Sequence, residues 1–241
     1  MGEKGVLLIG PSNGWLFAQK IYDLPTHQKF LKDAGANAVE LVMALGEEGR
    51  QKTLLSGNMD ADFISVHLDD YYREKDMDEQ VSLAKNIFDR HKASAAVAHP
   101  VTNPESYYMK LIDAGVPAAI ENMDKNKPCG YTKWEIWHLI EKFGLKFVLD
   151  VQHAYEHDSG MLYAWDLFQM TDPILVYLHV SGQSKRTIHS LVHLADNKTA
   201  IINFLGKILS KKKLPIILEG QYSAAPEVKT EIEFLKQELG F

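Results

Sequence analysis

Short apolar runs and longer segments of helical spacing alternate along the chain, with polar loops between them. Eight apolar runs have strand character: 5–10, 37–43, 62–68, 94–100, 117–123, 146–151, 173–180 and 215–221. The helical candidates are 26–34, 76–91, 104–113, 132–142, 195–210 and 226–239. No low-complexity segment or linker interrupts the alternation. The pattern is typical of an α/β protein with a parallel sheet.

Two of the helical segments carry start and stop signals. In "LPTHQKFLKDAG" we expect Thr26 to cap the helix and Gly35 to follow its last turn. In "NPESYYMKLIDAG" the expected cap is Asn103, followed by Pro104 at the first helical position.

Eight strand–helix repeats in a chain of this size predict a closed (β/α)₈ TIM barrel, with residues 1–241 as a single domain. An open doubly wound sheet is the alternative, but it usually has fewer strands. The first loop, "GPSNGW", also lacks the glycine spacing of a dinucleotide-binding turn.

Composition and charge narrow the function classes. The net charge is −6, and the one notable basic run is "KKK" at 211–213. DNA is therefore a conceivable partner that the charge does not support. The single cysteine, Cys129, excludes an internal disulfide and fits a reducing compartment. The N-terminal apolar run is too short for a signal peptide or a membrane span, so we expect a cytoplasmic protein with no membrane partner.

Ionisable side chains lie at or near the ends of seven of the eight apolar runs: Glu40, His67, His99, Glu121, Asp150, His179 and Glu219. In (β/α)₈ barrels the carboxyl ends of the strands converge on the active site. One such residue would be unremarkable, since a lone histidine is more often structural and a lone glutamate often caps a helix. Several carboxylates at one mouth, however, repel each other unless a cation neutralises them. The pattern therefore predicts a metal site.

Histidine and carboxylate ligands without thiolates favour a transition metal over Ca²⁺ or Mg²⁺. We expect Zn²⁺ first, with Mn²⁺, Co²⁺ and Fe²⁺ as alternatives. A single catalytic zinc commonly takes three protein ligands. Six or seven candidates exceed that need, so the ligand count predicts one to two ions, with a carboxylate bridging a pair.

Six short motifs occur in barrel order over about residues 37–222: "VHLDDYY", "AHP", "AIEN", "LDVQHAY", "LHVSGQSK" and "ILEGQ". Together they resemble the xylose-isomerase-like TIM barrel superfamily (AP endonuclease family 2). That superfamily includes endonuclease IV and many sugar isomerases and epimerases. The metal shell is most similar to that of endonuclease IV.

The resemblance to endonuclease IV implies a ligand set for each ion. The first ion takes His67, His99 and Glu121, and the second shares Glu121 and adds Asp150, His179 and Glu219. His153 and His189 match ligands of a third ion, but Thr187 and Ile188 stand where its aspartate belongs. The third site is therefore incomplete. The implied reaction is metal-assisted phosphoester hydrolysis.

The resemblance to sugar isomerases and epimerases implies a different use of the same residues. Glu121, Asp150, His179 and Glu219 would hold one metal, and the two glutamates would form an acid/base pair. His153 would then be a catalytic residue that contacts the sugar, and Lys185 or Arg186 would hold a hydroxyl or phosphate. The aromatic residues that could stack on a sugar, or pack the barrel rim instead, are Trp15, Tyr71, Tyr72 and Tyr155.

The ligand count favours the hydrolase slightly over the isomerase, and a barrel that holds metal without catalysis ranks third. The expected substrate is a small phosphorylated compound or a sugar, because only Arg50 and Gln51 suggest a DNA contact. The oligomeric state stays open.

Several other ionisable residues receive plainer interpretations. We interpret His27, His91 and His138 as structural. His189 and His193 would share a helix face as a metal pair or as a half-exposed helix start. Glu156 and His157 would form a lid or a solvated loop, and Glu40 would support the site without touching metal.

Overall fold

A computed structural model describes residues 5–69, 76–100 and 105–241. Within these residues eight parallel strands form one sheet. The strands are β1 (Ile9–Pro11), β2 (Ala38–Val42), β3 (Phe63–His67), β4 (Ala95–Ala98), β5 (Ala118–Glu121), β6 (Lys146–Asp150), β7 (Leu175–Val180) and β8 (Ile216–Leu218).

Helices surround this sheet. They are α1 (Gly14–Ala18), α2 (Leu24–Asp33), α3 (Glu48–Leu55), α4 (Met77–His91), α5 (Glu105–Asp113), α6 (Lys133–Phe143), α7 (Val151–His157), α8 (Leu162–Thr171), α9 (Lys198–Leu209) and α10 (Ala225–Leu239). Single 3₁₀ turns cover Asp172–Ile174 and Val192–Leu194. No helix of the described residues is both long and apolar enough to cross a membrane. The architecture confirms the predicted (β/α)₈ barrel.

The barrel closes where the first strand meets the second. Strand order runs β1-β8-β7-β6-β5-β4-β3-β2, and a bridge between Ser12 and Glu40 joins the two ends. The Asn37 side chain accepts a hydrogen bond from the backbone N–H of Ile9 at 2.8 Å. A Cβ at Gly10 would lie 1.7 Å from the carbonyl oxygen of Ala38. Glycine therefore permits the close approach that leaves the barrel nearly closed.

Alternation along the strands separates two environments. Side chains of one parity fill the barrel axis with an apolar cluster: Ala38, Phe63, Ala95, Val97, Ala119, Val148, Tyr177 and Ile217. Two residues further along, the same parity brings Glu121, Asp150, His179 and Glu219 to the carboxyl end of the barrel. The other parity packs against the helices. The apolar axis thus supports a polar mouth.

The start of α2 differs from the prediction. Thr26 does not cap α2, because the helix begins at Leu24 and the Asp23 carboxylate accepts from the Thr26 N–H at 2.9 Å. The predicted end holds, with Gly35 in the left-handed region at φ +68°. The expected start at Asn103 and Pro104 lies outside the described residues.

Four helices were not predicted: α1, α3, α7 and α8. The most consequential is α7, which follows β6 without a loop. Asp150 ends β6 and also caps α7, since its Oδ1 accepts from the His153 N–H at 2.6 Å. His153 is therefore held on the first turn of a helix rather than on a loop.

Candidate metal centre

The predicted metal ligands converge at the carboxyl end of the barrel. A cavity of about 640 Å³ opens there, and its lining includes His67, His99, Glu121, His153, His189 and Glu219. Asp150 and His179 lie beneath it with no exposed surface. Strand ends far apart in sequence thus bring six of the eight predicted ligands to one place, where His153 from α7 and His189 from the segment after β7 join them.

His179 lies at the centre of this group. Its Nδ1 is 2.7 Å from Oε2 of Glu121 and 3.5 Å from Oε1 of Glu219. Its Nε2 is 3.1 Å from Oε2 of Glu40, with hydrogen-bonding geometry. The imidazole therefore spans two carboxylates at the mouth and one inside the barrel.

Three buried polar atoms at this point lack a hydrogen-bond partner: Nδ1 of His179, Oε2 of Glu121 and Oδ2 of Asp150. Buried polar atoms are usually paired, and an unpaired one costs about 1–3 kcal/mol. Asp150, His179 and Glu219 each offer a ligand atom within 4.8 Å of the others. Two carboxylate oxygens and an imidazole nitrogen that converge in a buried place suit a cation. The residues present therefore fit a divalent metal, which would displace the proton that Nδ1 of His179 otherwise shares with Glu121.

A second grouping adjoins the first and consists of His67, His99 and Glu121. The Nδ1 of His67 is 2.8 Å from the Leu68 carbonyl, so it carries the proton and Nε2 stays available as a ligand. The Nε2 of His99 is 3.1 Å from Oε1 of Glu121. The two oxygens of Glu121 thus face the two groupings, which is the position that a bridging carboxylate would take.

The two glutamates have opposite electrostatic environments. Burial alone would raise the pKa of Glu121, but the charges of His179 and His99 outweigh burial and hold that pKa well below its usual range. Burial raises the pKa of Glu219 to about 8, and the nearby carboxylates Glu121 and Asp150 add to the rise. Two carboxylates with separated pKa values suit opposite proton-transfer roles.

His153 and His189 form the outer part of the site. The Nδ1 of His153 is 2.9 Å from the Asn122 carbonyl. Burial lowers the pKa of His153, but the negative charges of Asp150 and Glu121 outweigh it and raise that pKa. The His189 ring centroid is 5.8 Å from that of His153. Among the described residues, neither histidine belongs to a grouping of three candidate ligands.

Of the four residues predicted to bind substrate, Trp15 lines a cavity and the other three do not. Trp15 lines a second cavity of about 530 Å³, which shares His189 and Glu219 with the first. Tyr155 packs against the hydrophobic core, and Lys185 and Arg186 are exposed; none of these three lines either cavity. Tyr71 and Tyr72 lie outside the described residues.

Two cations outside the predicted sugar-binding set line the main cavity: Arg50, which the sequence suggested only as a DNA contact, and Lys127, which received no prediction. The Arg50 guanidinium lies 4.8 Å from the centre of the Phe17 ring and pairs with Glu47 at 3.1 Å. Both cations come from segments after strand ends, α3 and the β5–α6 loop. The sequence signal that could have identified them is a basic residue after a strand end. Such residues are common, so the signal does not single out Arg50 and Lys127.

The remaining ionisable residues have structural partners. His189 and His193 do not share a helix face, because His193 contacts the Glu231 carboxylate of α10 while Nδ1 of His189 is 3.1 Å from Oγ of Ser181. Glu156 accepts from Gln152 at 2.7 Å, and Nε2 of His157 donates to the Met123 carbonyl at 3.1 Å. Neither of the last two lines the main cavity.

Comparison with known proteins gives structural neighbours only. The sequence matches no family model and no curated protein. A D-tagatose 3-epimerase-like protein superposes with a TM-score of 0.71 at 15% identity, covering 97% of each chain. A xylose isomerase domain containing protein from Salmonella typhimurium gives 0.66 at 14%, again with 97% of each chain covered.

A sugar phosphate isomerase/epimerase from Parabacteroides distasonis gives a TM-score of 0.58 at 16% identity, covering 97% of this chain and 95% of the other. At these identities the similarity shows a shared (β/α)₈ barrel fold. The similarity to endonuclease IV that the motifs suggested finds no support among these three neighbours.

Proposed function

We propose that the protein is a divalent-metal-dependent isomerase or epimerase of a sugar or sugar phosphate. The observation that carries the proposal is the convergence of Glu121, Asp150, His179 and Glu219, with three buried atoms of this set left unpaired. The names of the structural neighbours support this reading over hydrolysis, which the ligand count had favoured.

The cation supplies Lewis-acid polarisation of the substrate's carbonyl group when it is bound. Zn²⁺ remains the first expectation, because the donors are nitrogen and carboxylate oxygen. Glu121, Asp150, His179 and Glu219 would hold the ion.

Glu121 and Glu219 are the proposed acid/base pair. One carboxylate removes the proton from the carbon beside the carbonyl, and the other returns a proton to the opposite face or to the neighbouring carbon. The Glu219 side chain is 18% exposed, against 2% for Glu121. Glu219 also lines both cavities, so it is the better placed of the two to reach substrate.

Other cavity residues would orient the substrate. His153 has its Nδ1 fixed by the Asn122 carbonyl, so its Nε2 is the nitrogen available to a sugar hydroxyl. Trp15 would offer a ring face in the adjoining cavity. Arg50 and Lys127 are better placed than Lys185 and Arg186 for a phosphate, because they line the main cavity.

The second candidate function is phosphoester hydrolysis at a two-metal site. The grouping of His67, His99 and Glu121 favours it, since a single-metal isomerase does not need these histidines. The two functions predict different effects of substitutions at His67 and His99. Alanine at both positions should abolish a two-metal hydrolase, whereas an isomerase should keep one ion and measurable activity.

Partners and compartment remain proposals too. A small substrate is preferred to DNA, because the net charge is −6. A cytoplasmic location is proposed because the chain has a single cysteine, Cys129, and so forms no internal disulfide, which fits a reducing compartment.

Proton exchange in D₂O tests the proposed function without knowledge of the individual sugar. Metal-loaded protein is incubated with ketohexoses, ketopentoses and their terminal phosphates, and NMR follows deuterium at the carbon beside the carbonyl. We expect deuterium incorporation with at least one sugar, and its loss in Glu219→Gln. Cleavage of phosphoesters without any exchange would instead favour the hydrolase.

A further inference from the structure

Glu40 is a carboxylate buried in the barrel interior, below the mouth. It occupies the middle of β2, between apolar neighbours, and has no exposed surface. Its Oε2 accepts from the Tyr177 hydroxyl at 2.6 Å and from Oγ of Ser65 at 3.0 Å, and it lies 3.1 Å from Nε2 of His179. Burial of an ionisable group is costly unless it is paired, and these three donors pair one of its two carboxylate oxygens.

The contact with Glu40 determines which nitrogen of His179 faces the mouth. An ionised carboxylate only accepts hydrogen bonds, so Nε2 of His179 carries a proton. Nδ1 is then the nitrogen that lies 2.7 Å from Oε2 of Glu121 and 3.5 Å from Oε1 of Glu219. Tyr177 and Ser65 hold Glu40 in turn, so that the carboxylate is fixed before any ligand arrives.

We propose that Glu40 is a positioning residue of the metal centre, holding the His179 imidazole so that its Nδ1 is presented to the metal. The inference rests on the metal site of the proposed function but not on the reaction. Carboxylate partners of metal-ligating histidines set ring orientation, and their loss commonly costs about 10- to 100-fold in metal affinity.

A different role for Glu40 makes a different prediction. Its Oε1 has no partner, and Glu40, His67 and Glu219 can place ligand atoms within 4.8 Å of one another. As a direct ligand, Glu40 would be needed for the number of ions bound. As a positioning residue, it changes how tightly an ion is held at unchanged number.

Calorimetric titration of metal-free protein with Zn²⁺ and with Mn²⁺ tests the inference. We expect Glu40→Ala to weaken binding by about 10- to 100-fold with the stoichiometry unchanged. Glu40→Gln keeps an acceptor oxygen for His179, and it should restore most of the affinity. Ser65→Ala is the matched control. It removes one donor to Glu40 but keeps the Tyr177 donor and the contact between Glu40 and His179, so its affinity should stay close to that of the wild type.

Three outcomes of the titration overturn the inference. Unchanged affinity in Glu40→Ala removes the role, and equal losses in the Ala and Gln variants assign it to charge instead of hydrogen bonding. A lost ion makes Glu40 a ligand.

NMR of the Zn²⁺-loaded wild type with ¹⁵N-labelled histidine decides the matter even if Glu40→Ala fails to fold. His179 should be metal-bound through Nδ1 and protonated at Nε2, and the reverse arrangement contradicts the inference.

Failure of the inference and failure of the proposed function give different results. Tight binding to the wild type that is unchanged in Glu40→Ala overturns the role of Glu40 alone. If the wild type binds neither cation, the metal centre is wrong, and the role of Glu40 falls with it.

Discussion

Two kinds of buried histidine occur in this barrel, and they differ in their partners more than in their burial. His91, under the helices, is 3% exposed, and both its ring nitrogens contact backbone. Its Nδ1 accepts from the Met59 N–H at 3.0 Å, and its Nε2 donates to the Leu54 carbonyl at 2.7 Å. His179, at the mouth, has both ring nitrogens against carboxylates: Nε2 is 3.1 Å from Oε2 of Glu40, and Nδ1 is 2.7 Å from Oε2 of Glu121.

The surroundings give the two histidines opposite protonation behaviour. Burial lowers the pKa of His91, and the charge of Arg90 adds to the effect. Burial also opposes the charged form of His179, but Glu219, Glu40 and Glu121 outweigh it and raise its pKa well above the ordinary value. A buried histidine with backbone partners on both nitrogens is structural, whereas one whose nitrogens face carboxylates occupies a place that suits a cation.

The largest expected effect is on activity at the mouth. Glu121→Gln keeps the size of the side chain but removes a proposed metal ligand and acid/base group. We expect the rate of deuterium exchange to fall by about 10²- to 10⁴-fold. His91→Gln should leave the rate close to that of the wild type. Comparable losses in both variants would erase the distinction between the two regions.

Removal of the metal should lower the free energy of unfolding, and only a substitution at the barrel mouth should change the size of this effect. A ligand present at about 100 times its dissociation constant adds about 2.7 kcal/mol to the free energy of unfolding. Thermal melts with and without a chelator should therefore differ for the wild type and for His91→Gln. In Glu121→Gln the difference should shrink. A chelator effect that survives intact in Glu121→Gln would place the ion elsewhere.

Substitution of the structural histidine, His91, should lower the free energy of unfolding without changing the affinity for metal. His91→Ala leaves the Met59 N–H and the Leu54 carbonyl without their side-chain partner. We expect the free energy of unfolding to fall by about 1–3 kcal/mol, measured by urea titration. Metal affinity, titrated on the folded variant, should stay at the wild-type value, and a matching loss of affinity would contradict this account.

The smallest expected effect is on the pH dependence of stability. Because the pKa of His91 is lowered in the folded state, the unfolded chain binds the proton first as pH falls. Its contribution is fully present above the ordinary value of about 6.5 and is lost as pH falls toward the lower folded pKa. The slope cannot exceed about 1.4 kcal/mol per pH unit.

The pKa values of His179 and His153 are raised rather than lowered, and both residues are present in the wild type and in His91→Gln. Their effects on stability therefore cancel in the difference between the two proteins, which leaves the contribution of His91. In metal-free protein the wild type should lose more stability than the variant below neutral pH. Parallel pH profiles would contradict the assignment of His91.

The fold was predictable because the strands are buried on both faces and therefore read as apolar runs. The helix α7 was not predicted, because Asp150 has two roles that a sequence does not separate. It ends a strand and caps the next helix. The contact that closes the barrel between β1 and β2 was also not predicted. It depends on the Asn37 side chain, whose hydrogen bonds reach residues far away in the sequence.

The metal ligands were predictable for a topological reason, since parallel strands must end at one mouth. The substrate residues were harder. Lys185 and Arg186 follow a strand end, as do Arg50 and Lys127, yet only the last two line the cavity. The directions taken by loop segments depend on packing that periodicity does not encode.

The central claim is that unpaired atoms at the mouth hold a divalent cation. Anomalous diffraction from crystals of the metal-loaded protein, recorded at the absorption edge of the bound element, tests it most directly. The account predicts a peak within bonding distance of Nδ1 of His179, Oε2 of Glu121 and Oδ2 of Asp150. A metal-soaked crystal with no peak there, while these atoms hydrogen-bond to protein or water, would contradict it.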